Sequence, residues 1–221
     1  MELKDIAAEM QPRSMAARDW VFYILRTAIV RGVLPGGMQL KQDEISTTLS
    51  VSHIPVREAF RQLEAQGLVR IYPNRGAVVT RLSRAELANI MDVRIILELG
   101  ALRSAITHLD DDVLAHAESL LEQLESEKDC NRAEEINLQF HFTLYEAAGN
   151  PTLNRLIDQL HANIDRYIRR FYSEEALTTA TYAQHRDILE ACKNRDTELA
   201  CAHLRTHLEG TKILLMSSPI N

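Results

Sequence analysis

The stretch from residue 40 to residue 80 constrains this chain more than any other. Residues 42–49, QDEISTTL, have helix-forming chemistry, and Ile45 and Leu49, four apart, share one face. Two turn-favouring serines, Ser50 and Ser52, then flank one apolar residue, Val51. Ser52 suits the N-cap of a second helix, and Pro55 falls in its first turn, where no helical N–H is missed. That helix carries Val56, Phe60 and Leu63 on one side, keeps Arg57 and Arg61 elsewhere, and is ended by Gly67. Two β-rich runs follow, VRIY at 69–72 and AVVT at 77–80, joined by the basic tip Pro73-Asn74-Arg75-Gly76.

Helix, short turn, helix with arginines near its start, then a two-stranded ribbon is the spelling of a winged helix-turn-helix. The second helix of such a motif enters the major groove, and its N-terminal residues reach base edges. Arg57 lies one turn in, where a guanidinium can fork onto the two acceptors of a guanine, worth roughly 1–3 kcal/mol of discrimination. Arg75, on the wing tip, is placed for phosphate or a minor groove. The bland alternative is a helical pair and hairpin whose arginines only solvate a surface; the agreement of turn, cap and charge placement argues against it.

At these residues the chain resembles the GntR family of bacterial transcription regulators. The resemblance rests on IVRGVLPGGMQL (29–40), VSHIPVREAF (51–60), LEAQGLV (63–69) and PNRG (73–76), and covers residues 15–82. It implies that Ser52 and Arg57 contact DNA, with His53, Arg61, Arg75 and Gly76 in the same interface. His53 stands where the family usually has arginine, which implies a different operator preference or salt dependence.

The net charge of −6 at first argues against a nucleic-acid partner, but the charge is unevenly divided. Residues 1–82 hold 11 basic against 8 acidic side chains, a net +3, and residues 83–221 hold 14 against 23, a net −9. A mildly basic reader on an acidic body fits a protein that docks one end on double-stranded DNA. No apolar run approaches ~18 residues, so no membrane span is expected. The first residues lack a secretion signal, and Cys130, Cys192 and Cys201 show no paired spacing, which reads as reduced thiols in a cytoplasmic protein. The glycines at 36 and 37 lack the surroundings of a phosphate-binding loop and read as a turn.

Residues 1–13 read as a frayed arm closed by Pro12, and Ser14 as the cap of a helix over 15–31 with Val21, Leu25, Ala28 and Ile29 inward. A short strand is expected at 38–40. Ser83 followed by Glu86 is a capping box, which sets the boundary between a DNA-binding domain at 14–82 and a second domain at 83–221. From there no convincing strand is found. Helices are expected at about 84–107, 111–127, 132–148, 151–171, 178–194 and 196–216, with Asp110-Asp111-Asp112 as a cap rather than a calcium loop. The fold class is therefore mainly α: a winged helix-turn-helix followed by an all-α helical bundle.

The helix at 132–148 is apolar nearly all round, through Ile136, Leu138, Phe140, Phe142, Leu144 and Tyr145, so it is buried. Asn137 and His141 sit inside it on one face and need partners. His185 and His207 lie on the apolar stripes of two further helices, and imidazoles converging in a bundle core make a metal site. Taken singly, each also reads as a satisfied core histidine, as do His108, His116 and His203. His161, on the stripe of Ile157, Ile164 and Ile168, either lines a cavity or packs. Arg94 faces the bundle with Leu87, Ile90, Leu97 and Ala101, so its guanidinium needs an anion, either Glu98 one turn on or the carboxylate of a bound acid.

This half resembles the FCD ligand-binding domain of the FadR branch, through MDVRIILE (91–98), NLQFHFTLYEAAGNPTL (137–153), HRDILEA (185–191) and LRTHL (204–208). The resemblance implies a divalent metal, zinc or nickel, held at Asn137, His141, His185 and His207, with a small organic acid at Arg94 and His161. Asparagine stands where the family usually has aspartate, which leaves the site more positive and leaning on an anionic ligand. The expected protein is a ligand-responsive repressor acting as a homodimer on a palindromic operator. Two alternatives are a regulator that senses the metal itself and a metal-dependent enzyme. The enzyme lacks an obvious general base, since Asp187 and Glu190 flank His185 but face away.

Overall fold

The computed structural model describes residues 2–10, 15–73, 75–172 and 179–217, those at 170–172, 179 and 180 by their backbone alone. The expected cap Ser14, the closing Pro12, the tip residue Asn74 and the helix start at 178 lie outside the described residues. The chain divides into two compact units: residues 1–82 together with 162–166, and residues 83–161 together with 167–221.

The first unit opens with α1 (Leu3–Glu9), followed by α2 (Ala17–Val30), α3 (Gln42–Leu49) and α4 (His53–Ala65). Three short strands, β1 (Gln39–Leu40), β2 (Val69–Tyr72) and β3 (Gly76–Val79), form an antiparallel sheet in the order β1-β3-β2. Leu40 pairs with Ala77, and Tyr72 with Gly76 across the wing turn. Val21, Leu25, Ala28 and Ile29 of α2 meet Val56, Phe60 and Leu63 of α4 in one core, capped from the sheet by Leu40, Ala77 and Val79.

The frayed arm expected at the N-terminus is corrected by α1. Leu3, Ile6, Ala7 and Met10 repeat at helical spacing, Ile6 is fully buried, and the others pack against the same core. Arg31 Nη1 bonds Glu9 Oε2 at 2.8 Å, and the Trp20 indole N–H donates to the Met10 carbonyl.

The second unit contains α5 (Arg84–Ala105), α6 (Asp111–Ser126), α7 (Cys130–Glu146), α8 (Pro151–Tyr172) apart from its residues 162–166, α9 (Thr179–Lys193) and α10 (Thr197–Ser217). The capping box at α5 is formed: Ser83 Oγ accepts from the Glu86 N–H, and Glu86 Oε2 accepts from the Ser83 N–H at 2.8 Å. Asp110 Oδ1 caps α6 through the Val113 N–H at 2.8 Å. Gly149, at φ 61, ends the α7 turn, and Pro151 starts α8 where its lacking N–H costs nothing. The core is built from α5, α6, α7, α9 and α10, with Ile157 added from α8, and Leu102, Leu124, Phe140, Leu144, Ile188 and Leu204 in it are fully buried. Leu138 and Phe142, expected inside α7, are only half-buried, because their side of the helix faces a cavity. His108 and His116 are exposed and His203 half-exposed, so the core placement expected for them is corrected. His108 Nδ1 bonds instead to the Ser104 carbonyl, 3.0 Å away and one turn back.

Candidate functional site

In the first unit, burial of Val56, Phe60 and Leu63 turns the opposite face of α4 outward. His53, Arg57 and Arg61, each one turn apart, are all exposed there. Ser52 holds the N-cap position, yet its side chain makes no capping bond. Pro55 at the third helical position has no N–H, which removes one of the two donors such a hydroxyl can meet. The exposed hydroxyl therefore remains available to another partner. Gln42 Nε2 donates to the His53 carbonyl at 2.7 Å, tying α3 to the start of α4. His53 Nε2 lies 3.4 Å from Asp43 Oδ1, so its nearest charged neighbour is acidic.

The wing is held by its own short contacts. Gln39 Nε2 donates to the Arg75 carbonyl at 2.7 Å, leaving the exposed Arg75 side chain at the tip. Gly76 has φ 78, and a Cβ there would fall 2.2 Å from the Leu40 carbonyl oxygen, so only glycine lets β3 pass β1. Lys41, Arg57, Tyr72 and Arg75 line one groove between α4 and the wing.

In the second unit, a cavity of about 70 Å³ is lined by Arg94, Glu98, Asn137, His141, His161 and His207, with Tyr145 beside them. By the same measure a water needs ~10–15 Å³, so there is room for about five water-sized groups. His185 is fully buried behind this lining, and one ring nitrogen from each of His141, His185 and His207 lies within 4.8 Å of the others. His141 and His185 face each other Nε2 to Nε2 at 3.2 Å.

The outer nitrogens of His207 and His141 are held by partners. His207 Nδ1 donates to Gln184 Oε1 at 3.2 Å, and His141 Nδ1 lies 3.3 Å from the Tyr145 hydroxyl. His185 Nδ1 points towards the Thr181 carbonyl one turn back, short of bonding geometry. Asn137 Nδ2 donates to Glu134 Oε2 at 3.1 Å, which fixes the amide so that Oδ1 is buried without a hydrogen-bond partner. Such an orphan costs about 1–3 kcal/mol unless something meets it.

Burial holds all three imidazoles neutral. His185 is pushed down to about 4 by desolvation, and His141 and His207 fall well below the usual value, chiefly by desolvation and then by the charge of His185. A neutral imidazole is the form that binds metal. Three such nitrogens within reach of one another, beside a cavity lined by Asn137, could hold a divalent ion that accepts nitrogen and oxygen.

Arg94 is buried, and its Nε bonds Glu98 Oε1 at 2.6 Å. Of the two anions expected for it, the internal one is present. Glu98 Oε2 in turn accepts from the Tyr145 hydroxyl at 2.9 Å. His161 Nε2 lies 3.2 Å from Glu134 Oε1, both buried, while its ring lines the cavity. Sequence reasoning missed Tyr145 as a polar group, and missed Glu134 and Gln184 altogether. Spacing carried a signal for two of them: Tyr145 follows His141 by four residues, and Glu134 precedes Asn137 by three. Asp187 and Glu190 are exposed, away from the imidazoles.

A winged helix-turn-helix with an arginine-bearing second helix, joined to an all-helical unit with a polar cavity, defines a DNA-binding regulator. The family model "Bacterial regulatory proteins, gntR family" matches residues 18–79, and that of the FCD domain matches residues 89–210. The chain belongs to the GntR family, in the branch that carries an FCD domain, and is a DNA-binding transcription regulator rather than an enzyme. It is 35% identical to a GntR-family transcriptional regulator of Pseudomonas syringae pv. tomato str. DC3000, with a TM-score of 0.57 over 97% of this chain and 92% of that one. It is 29% identical to the HTH-type transcriptional repressor RspR of Escherichia coli K12, over 86% of this chain and 84% of that protein. The structure of E. coli McbR/YncC shares the fold, with a TM-score of 0.81 at 23% identity over 91% and 98% of the two chains.

Proposed function

We propose that the chain is a ligand-responsive repressor that binds a palindromic operator as a homodimer and is released by a small organic acid bound beside a divalent metal. The reader is residues 14–82, and effector binding and dimerisation belong to 83–221. Ser52, His53, Arg57, Arg61, Arg75 and Gly76 form the DNA interface. Asn137, His141, His185 and His207 hold zinc or nickel, with Arg94 and His161 beside the acid.

The observation that carries the effector half is the orphaned oxygen of Asn137, which lines the cavity with His141 and His207 in front of the buried His185. An ion there would act as a Lewis acid for a carboxylate and would raise an otherwise balanced cavity to a net positive charge. The cavity volume suits an acid of a few heavy atoms. Repression is supported by the name of RspR, one relative among regulators.

Dimerisation is supported by the outer faces of α5 and α10. Ile96 and Ile213 are 70% and 69% exposed there, with Val93 and Leu214 beside them. The flanking charges pair within the chain, Asp92 with Lys212 and Arg103 with Glu198, which favours a second copy over a charged foreign partner. A palindrome also needs two readers.

Fragments enriched from genomic DNA by the protein are the test. Titrated against them by fluorescence anisotropy, the metal-loaded protein is expected to loosen by fivefold or more with at least one small carboxylic acid. No response to any acid, with affinity following free zinc or nickel instead, selects a second reading in which the ion is the signal. The Arg94–Glu98 bond favours that second reading, since it occupies part of the guanidinium.

A further inference from the structure

The three imidazoles of the cavity are not equally prepared to accept an ion, and the hydrogen bonds around them say which is fixed and by what. The decisive group is the Tyr145 hydroxyl, which has one proton and two neighbours. Glu98 Oε2, at 2.9 Å, belongs to a carboxylate that can only accept, because its other oxygen already takes the Arg94 Nε–H at 2.6 Å. The tyrosine proton is therefore committed to Glu98. The remaining contact, 3.3 Å to His141 Nδ1, then has one consistent polarity: the imidazole N–H donates and the phenol oxygen accepts.

That polarity decides the far side of the ring. With its proton on Nδ1, neutral His141 presents a bare Nε2 towards His185 Nε2, 3.2 Å away. His207 is set in the same sense by Gln184. His185 has no such partner: its Nδ1 is buried and unbonded, and its Nε2 proton is free to bridge to His141.

We propose that Tyr145 is the positioning residue for this site, holding His141 in the Nδ1–H form through a relay that runs from Arg94 through Glu98. This rests on the metal reading above. The relay places the anionic end of the site one layer behind the ligand. Asn137 supplies no charge, so Glu98 raises the donor strength of His141 through the phenol. His185 is the ligand that must move its proton to Nδ1, towards the Thr181 carbonyl, when an ion arrives. Because Arg94 also lines the cavity, an anion drawn to it competes with Glu98 for the guanidinium. Glu98 would then lean harder on Tyr145, so acid and ion favour each other's binding.

The experiment uses full-length metal-free protein, Tyr145→Phe and Glu98→Gln. Imidazole nitrogen-15 shifts report the tautomer of each ring before any metal is added, and competition with a fluorescent chelator gives the zinc affinity. Wild-type His141 is expected as the Nδ1–H form, and Tyr145→Phe as a mixture with zinc binding weakened about 10–100-fold. Glu98→Gln, which keeps the phenol but removes the charge, is expected between the two. An unchanged His141 tautomer in a folded Tyr145→Phe protein overturns the proposal, as does Nε2–H in the wild type. If no variant binds zinc, the metal reading fails, and the tautomer readout still decides the role of Tyr145. If Tyr145→Phe does not fold, the wild-type and Glu98→Gln spectra decide it.

Discussion

Arg57 and His53 share one exposed stripe of α4, and the roles proposed for them at the operator differ. Arg57→Ala is expected to lose about 1–3 kcal/mol of operator affinity and to relax selectivity at one base pair. His53→Arg is expected to tighten binding to all sequences and to steepen the salt dependence by about one ion, since it adds a phosphate-seeking charge beside Asp43. Anisotropy titrations across salt concentrations check both; equal losses on every fragment for Arg57→Ala would make it a phosphate contact only. The buried histidines give a second expectation. His185 falls from 6.5 unfolded to about 4 folded, so the unfolded metal-free chain binds more protons between those values. Stability is therefore full above about pH 6.5 and is lost as pH falls towards 4, by about 3 kcal/mol from this residue alone. Urea unfolding of metal-free protein at pH 7 and pH 4.5 measures it, and His185→Gln should shrink the difference, leaving the share of His141 and His207. A pH-independent midpoint difference between the two proteins would contradict it.

At the scale of elements, sequence and structure agree where local chemistry is strong. The helices from α2 onward, the Ser83 box and the wing strands lie within about two residues of expectation, because caps, glycines and apolar periodicity all point to the same ends. They part where polarity misleads. In α1, charges at Glu2, Lys4, Asp5 and Glu9 obscured the stripe of Leu3, Ile6, Ala7 and Met10. Ile6→Ala is expected to cost about 2–5 kcal/mol of unfolding free energy; a change below about 0.5 kcal/mol would make α1 an ornament. The convergence of His141, His185 and His207 was legible as three stripes plus a family resemblance. Spacing along α7 hinted at Tyr145 and Glu134, but nothing in a sequence says that Tyr145 would turn its hydroxyl to Glu98 on another helix. The wing depends on one backbone position. Gly76→Ala must push β3 off the Leu40 carbonyl, so it is expected to weaken operator binding by displacing Arg75 while leaving the second unit's zinc affinity unchanged.

For the whole molecule, a basic reader and an acidic helical unit are proposed to work as one regulator that needs two copies. The face carrying Ile96 and Ile213 is the proposed seam, so Ile96→Glu with Ile213→Glu is expected to give monomers whose operator affinity falls with loss of the second half-site. Among the described residues no helix is long and apolar enough to cross a membrane. The most direct test of the central claim is native mass spectrometry of the full chain after incubation with zinc and removal of the excess. The predicted spectrum is a dimer carrying one divalent ion per chain, with the ion lost and the dimer kept in His141→Ala. A wild-type dimer without metal, or His141→Ala at full occupancy, would contradict the three-imidazole site on which the effector half rests.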